Sequence, residues 1–536
     1  MITLCAKLSL LISVVASVIL DPTDASAHAI KWQGAHPNAS RYLVPGSVFK
    51  LIDAPSFDAL QAKSVPSEQQ WVGNANPTVT AAYPWGKVTE TLVEHEHSLV
   101  VRMSVRNTGA TPLVKLEVQT LALQFSQVPD ACIVDYGMFG MGGPHPANQY
   151  PLEARTDRMP GVIGLRTQKV VVDYSSDDPI APMTLIIPHA LDDPIDHEYP
   201  LDLKLNAPIM PGKSFTQTAN VNFVAMPADF FAGAKTTLRR YAQKYPFQVK
   251  WKDRRPIGKE VLATSEEHPS TNPRGWFTND KNVDTSTLAG IISFRKRLLA
   301  RADEEIGVLR KMGAQGLIVW DVEGEEYRNA VYIGDPRLEP RLAPEMEYAD
   351  SSGIKTVDLF FKKFRDAGFR VGVALRAERV SFLNGVPQQN QLEHVVHNLN
   401  AKLAYARKRW GCTLFYIDST VAPDGGPNDA EDFKAIADAN PGTILFPENE
   451  STKYFAYTAP LNSFFHHGVA DTPPPARAVW PGAFSIIIAD DAANRKAREG
   501  DLVASVRHGN ILLINSWYDN PDVEEIANIY KIAKQR

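Results

Sequence analysis

The chain has 536 residues, 44% of them hydrophobic and 22% charged, and 56 Lys and Arg set against 61 Asp and Glu give a net charge of −5. Charges of nearly balanced sign, interspersed along the chain, offer no basic face for nucleic acid or an anionic membrane. Three cysteines in so long a chain exclude a disulfide scaffold, and no C-x-x-C spacing is present for a zinc site.

The first predicted element is a targeting signal over residues 1–27. Lys7 precedes the apolar run Leu8 to Leu20, and Ala25-Ser26-Ala27 supplies the small-x-small pattern of a cleavage site. The run is too short to cross a bilayer comfortably. A mature chain beginning near His28 is therefore expected in the periplasm or the medium. No later stretch approaches about 18 uninterrupted apolar residues, so no membrane insertion is expected. Cys5 falls inside the signal, and Cys132 and Cys412 read as small buried hydrophobes.

Residues 28–70 form an extension, and from 71 to 228 the hydrophobic period is two. Leu99, Val101, Met103 and Val105 alternate with Val100, Arg102, Ser104 and Arg106 before the turn Asn107-Thr108-Gly109. Further strands are read at Leu116 to Phe125, Lys169 to Tyr174, Met183 to Ile187 and Phe215 to Val224. Many short strands between Pro/Gly turns predict an antiparallel β-sandwich.

Residues 229–256 form a helical linker, with a helix from Ala232 to Tyr245. From 257 to 536, strands and helices alternate. Strands are read at Gly258 to Ser265, Gly316 to Trp320, Arg370 to Leu375, Thr413 to Ile417, Thr443 to Phe446, Phe484 to Ala489 and Asn510 to Asn515. Helices between them close at Gly313, Gly368 and Gly411, the residue type that favours a left-handed helix end. No sixth strand is evident between Tyr454 and Pro481. Strands separated by helices pair in parallel through right-handed crossovers, and about 280 residues suits one (β/α)8 TIM-type barrel. A doubly wound open sheet is the alternative, but neither G-x-G-x-x-G nor G-x-x-x-x-G-K occurs.

Barrel chemistry sits at the C-terminal ends of the strands. Here Asp321, Glu323, Glu325 and Glu326 follow one strand, and Arg376, Glu378 and Arg379 the next. Asp418 ends a third strand, and Glu448, Asn449 and Glu450 end a fourth. The last runs into Asn515, Trp517, Tyr518 and Asp519. Paired carboxylates with sugar-stacking aromatics are what glycoside hydrolysis requires, one to attack the anomeric carbon and one to protonate the leaving oxygen. Asp418 is assigned as nucleophile and Glu448 as acid/base, with Glu450 a rival for the second role. Asp321, Glu323, Arg376, Glu378, Glu450, Trp517, Tyr518 and Asp519 are assigned to the substrate.

The motifs YIDS (Tyr416 to Ser419) and PENE (Pro447 to Glu450), in a barrel preceded by a sandwich, resemble retaining α-glycosidases. They are similar to the α-amylase superfamily and to the endo-α-N-acetylgalactosaminidases. That resemblance implies Asp after the fourth strand and Glu after the fifth, and it aligns Asp490 or Asp491 with a third carboxylate.

Other readings stay open. Asp418 can cap its loop as an Asx turn, and Glu448 can be a surface residue. The Asp321 to Glu326 cluster can hold calcium, although no D-x-D-x-D-G loop is present and no cofactor is expected. His466-His467 lacks a matching carboxylate helix for zinc, and no G-x-S-x-G elbow points to a serine hydrolase. The reading is a secreted glycoside hydrolase with a carbohydrate substrate. Its rivals are a non-catalytic carbohydrate-binding barrel and a polysaccharide lyase.

Overall fold

Eight parallel strands joined through helical segments make up the C-terminal part of the chain. The computed structural model describes residues 50–53, 56–57, 60–61, 68–72, 78–114, 116–124, 129, 131–133, 144–146, 152–155, 161–180, 182–187, 198–205, 207–263, 272, 274–277, 284–324, 342–377, 379–383, 386–390, 394–418, 420, 429–448, 451–463, 471–490, 492–515 and 523–535. The segment read as an export signal lies outside them.

The chain forms two compact units. The first comprises residues 1–128, 150–153 and 182–221, and the second residues 129–149, 154–181 and 222–536. In the first, Glu68–Val72, Thr78–Tyr83, Gly86–His95 and Ser98–Asn107 pair consecutively as an antiparallel meander. Lys50–Asp53, Glu117–Gln124, Glu198–Lys204 and Met183–Ile187 form the second antiparallel ladder of the predicted sandwich. The period-two reading holds at residue level, because Leu99, Val101, Met103 and Val105 are all fully buried.

The second unit carries a short antiparallel set, in which Ala131–Ile133 pairs with Pro144–Pro146 and Val162–Arg166, and Val162–Arg166 with Val170–Ser176. It also carries the barrel. We number the barrel strands β1 Ile257–Val261, β2 Gly316–Trp320, β3 Arg370–Arg376, β4 Leu414–Asp418, β5 Ile444–Pro447, β6 Leu461–Ser463, β7 Ile486–Ile488 and β8 Ile511–Asn515. Their spatial order is β5-β4-β3-β2-β1-β8-β7-β6. Ala459, just before β6, donates its N–H to the Leu445 carbonyl of β5 at 3.0 Å and brings the two ends together.

Strands such as Gly-Leu-Ile-Val-Trp (β2) are apolar throughout because both of their faces are covered. Ile257, Ile318, Leu414, Phe446, Ile486 and Leu513 fill the barrel interior. Leu317, Val373, Phe415, Leu445 and Leu512 point outward and pack under the helices. Each fully buried Leu, Ile or Phe of this kind contributes roughly 1.5–3 kcal/mol.

The longest helix begins and ends where the sequence signals it. Helix Leu288–Met312 starts at Thr287, whose hydroxyl accepts the Gly290 N–H at 3.0 Å, and stops at Gly313 with φ of 70°. Below the barrel, Val249 and Trp251 pack against the interior, and the Trp251 indole donates to Gln315 at 3.0 Å.

Features absent from the sequence expectation include β6, the hairpin Arg379–Leu383/Val386–Asn390 after β3, and the short helices Pro344–Glu347, Pro474–Val479 and Ala492–Ala497.

Candidate active site

Strand alternation decides which side chains reach the barrel mouth. From the interior residues Ile257, Ile318, Ala374, Tyr416, Phe446 and Ile488, two steps along each strand lead to Lys259, Trp320, Arg376, Asp418, Glu448 and Asp490. Apolar layers below therefore give way to a charged and aromatic layer at the C-terminal ends. The ladder continues far enough to hold it. Glu448 donates its N–H to the Ile417 carbonyl at 2.9 Å, and Ala489 donates to Leu513 at 3.1 Å.

Arg376 and Asp418 are register partners on β3 and β4. Four residues earlier the register pairs Gly372 with Leu414, and a Cβ on Gly372 would stand 2.1 Å from the Leu414 carbonyl oxygen. Only glycine lets the strands approach so closely there, and that approach sets Arg376 beside Asp418. The Arg376 Nε–H donates to Asp418 Oδ2 at 2.5 Å, a short charge-assisted bond that fixes the carboxylate's orientation. From helix Val395–Trp410 the buried Lys402 donates to the Arg376 carbonyl at 2.9 Å and pins the end of β3.

Tyr416 lies one layer below Asp418 and is 6% exposed. Its hydroxyl stands 3.5 Å from Asp418 Oδ1 and is also hydrogen-bonded to Glu448. Burial first, and then the two neighbouring carboxylates, push the phenol well above its ordinary range. The hydroxyl therefore keeps its proton and acts as a hydrogen-bond donor between the two acids.

On the other side of the mouth Lys259 of β1 and Asp490, past the end of β7, form a second ion pair. Trp320 lies between the pairs. Its ring centroid is 5.0 Å from that of Tyr416, and the Lys259 ammonium is 5.8 Å from the Trp320 centroid.

The structure thus brings together Arg376, Asp418 and Glu448 of the residues singled out from the sequence. Asp321 and Glu323 stand in the turn after β2, with Asp321 in the left-handed region at φ 57° and Glu323 buried. Glu325, Glu326, Glu378, Glu450, His466, His467, Trp517, Tyr518 and Asp519 lie outside the described residues. Among the described residues no group of three or more His, Cys, Asp and Glu could hold a metal ion. No helix among them is long and apolar enough to cross a membrane. Trp276 is buried, and its indole donates to the buried Glu345 at 2.7 Å. Cys132 and Cys412 are buried and unbridged.

Sequence reasoning missed Lys259 and the part played by Tyr416. The signal for both is the period of two, because each continues an inward row that apolar residues define.

No family model and no curated protein matches the sequence. Among solved structures, the α-N-acetylgalactosaminidase NagBb from Bifidobacterium bifidum, in complex with GalNAc, is similar with a TM-score of 0.53 at 11% identity. The match covers 92% of this chain and 88% of that one. A GH36 α-galactosidase from Geobacillus stearothermophilus with raffinose is similar with a TM-score of 0.44 at 12% identity, over 96% of this chain and 82% of that one. The likeness to the Bifidobacterium protein is one of fold: an antiparallel β domain followed by a (β/α)8 barrel.

Proposed function

We propose that this protein is an exported retaining glycoside hydrolase in which Asp418 is the nucleophile and Glu448 the general acid/base. The observation that carries the reading is the shared contact with Tyr416, whose hydroxyl lies within hydrogen-bonding reach of both carboxyl groups at the ends of adjacent strands. Neighbouring strands run about 4.8 Å apart. Two acids pointing inward from such strands match the roughly 5–5.5 Å separation of a retaining pair, closer than the roughly 6.5–9.5 Å that an inverting pair needs for its water.

The steps follow from that geometry. Asp418 attacks the anomeric carbon while Glu448 donates its proton to the departing glycosidic oxygen, which leaves a glycosyl ester on Asp418. Glu448, now a carboxylate, takes a proton from water, and the hydroxide releases the sugar with its anomeric configuration retained. Arg376 holds the nucleophile in place. Tyr416 donates to whichever carboxyl oxygen carries the greater charge, and Trp320 offers a face for the sugar's apolar side.

The fold it shares with an enzyme named for α-linked N-acetylgalactosamine makes α-N-acetylgalactosaminides the first substrates to offer. The test is sugar release from a panel of aryl glycosides and glycans by the wild type and Asp418→Asn. A loss of several orders of magnitude in a folded variant supports the assignment. Equal rates in both remove Asp418 from the chemistry. Binding of glycans with no release by either protein favours a carbohydrate-binding barrel.

A further inference from the structure

The proposed reaction uses Arg376, Tyr416, Asp418 and Glu448 and leaves the opposite side of the mouth unassigned. There, Lys259 and Asp490 reach toward each other from β1 and β7 across the intervening β8. Lys259 pairs in register with Asn515, and Ile488, two residues before Asp490, pairs with Leu513. Both residues therefore belong to one layer, level with the polar ends of the other strands. The frame under them is rigid. The Arg495 side chain, 1% exposed, donates at 2.8 Å to the carbonyls of both Ala489 and Asp490 and pairs with Glu525 at 3.3 Å.

An ion pair of this exposure is a weak stabilising device, because desolvation cancels most of the attraction between its members. Its chemistry suits recognition better. A sugar hydroxyl is at once donor and acceptor, and an ammonium and a carboxylate held side by side present its complement. The pair is also connected to the reaction centre by contact. Lys259 lies over the Trp320 ring, Trp320 packs on Tyr416, and Tyr416 touches both acids. A pyranose resting on Trp320 with its anomeric carbon at Asp418 turns its far edge toward Lys259 and Asp490.

We infer that Lys259 and Asp490 form the specificity-determining subsite, binding a ring hydroxyl of the glycosyl unit remote from the anomeric carbon. This rests on the glycosidase reading and adds a selectivity to it. Glycosyl units bearing that hydroxyl are accepted, and those lacking it or carrying an O-substituent there are refused. Sites built to hydrogen-bond a hydroxyl discriminate strongly against the analogue without it, because their polar groups are then left unpaired.

The experiment compares wild type, Asp490→Asn, Lys259→Gln and Lys259→Arg on an aryl glycoside that the wild type hydrolyses and on its mono-deoxy analogues. The expected result is that the wild type prefers the parent to one analogue by about 10²-fold in kcat/KM. Asp490→Asn and Lys259→Gln lose that preference while keeping their order among the other analogues, and Lys259→Arg restores part of it. Thermal unfolding of each variant separates lost folding from lost recognition. A uniform fall on every substrate, with the preference intact, overturns the inference while leaving the glycosidase reading standing. If the wild type hydrolyses none of the glycosides, the reading itself has failed, and the same sugars are titrated calorimetrically into wild type and Asp490→Asn. Discrimination by wild type alone then still supports the subsite, and equal binding by both sinks it.

Discussion

Tyr416 and Asp418 stand two residues apart on β4, and the strand's alternation turns both into the barrel so that the phenol oxygen comes within 3.5 Å of Asp418 Oδ1 while also meeting Glu448. A single buried donor thereby links the two carboxyl groups the proposed reaction needs, and it sets the first prediction. Tyr416→Phe keeps the ring packed against Trp320 and removes only the hydroxyl. We expect kcat to fall about 10–10²-fold, the loss typical of one preorganised donor or somewhat less, with KM changed far less. Steady-state kinetics on the best aryl glycoside checks it, and an unchanged kcat contradicts a role for the hydroxyl. Because burial and two carboxylates hold the phenol well above its usual range, the alkaline limb of the wild-type pH profile is not the ionisation of Tyr416.

Arg376 is expected to act through geometry. Its Nε–H holds Asp418 Oδ2, so Arg376→Gln leaves the nucleophile in several orientations and lowers kcat about 10²-fold, since small misplacements of a reacting group carry losses of that size. Arg376→Lys keeps the charge without the planar fork and recovers only part of the rate. Full recovery by lysine indicates that charge alone matters.

Gly372 offers a structural test of the same site from below. With a methyl group 2.1 Å from the Leu414 carbonyl, Gly372→Ala forces β3 and β4 apart, at a cost of about 1–3 kcal/mol for an overpacked position. Denaturant unfolding reads that loss. Activity at a temperature where the variant is folded falls with it, because the Arg376–Asp418 register begins at this pair. A stable variant with full activity removes Gly372 from the account.

Away from the mouth, Asp173 predicts a pH dependence of stability. Its two carboxylate oxygens accept the N–H groups of Phe231 and Gly233, both at 2.7 Å, yet burial outweighs those bonds and pushes its pKa up to about 6. An acid whose folded pKa lies above its unfolded value binds more protons when folded. Its contribution is fully present below about pH 4 and is lost as pH rises through about 6, a swing of up to roughly 3 kcal/mol at 1.36 kcal/mol per pKa unit. Asp173→Asn removes this slope and loses one of the two bonds, because the amide NH2 cannot accept a backbone N–H. Urea midpoints between pH 4 and 7 that decline equally in both proteins contradict the assignment.

How much of this was legible beforehand depended on apolar runs. Gly316 to Trp320 and Leu414 to Asp418 announce themselves because barrel strands are covered on both faces, and the polar residue ending each run marks the mouth. β6 was illegible because it is only Leu461-Asn462-Ser463, with a buried polar residue at its centre whose amide donates to the Asp471 carbonyl at 3.1 Å. Lys259 was illegible because Lys259-Glu260 inside a five-residue strand reads as solvent-facing, whereas Glu260 is fully buried and Lys259 lies in the mouth. The Arg376–Asp418 pair depends on strand order and register, which no local pattern encodes.

The central claim is that Asp418 forms a covalent bond to the sugar. The most direct measurement is mass spectrometry of the peptides of the wild-type protein after incubation with an activated fluorosugar that slows breakdown of a glycosyl-enzyme. The account predicts one glycosyl adduct, on the peptide carrying Asp418, and none in Asp418→Asn. An adduct on another carboxylate, or turnover with inversion and no adduct, contradicts it.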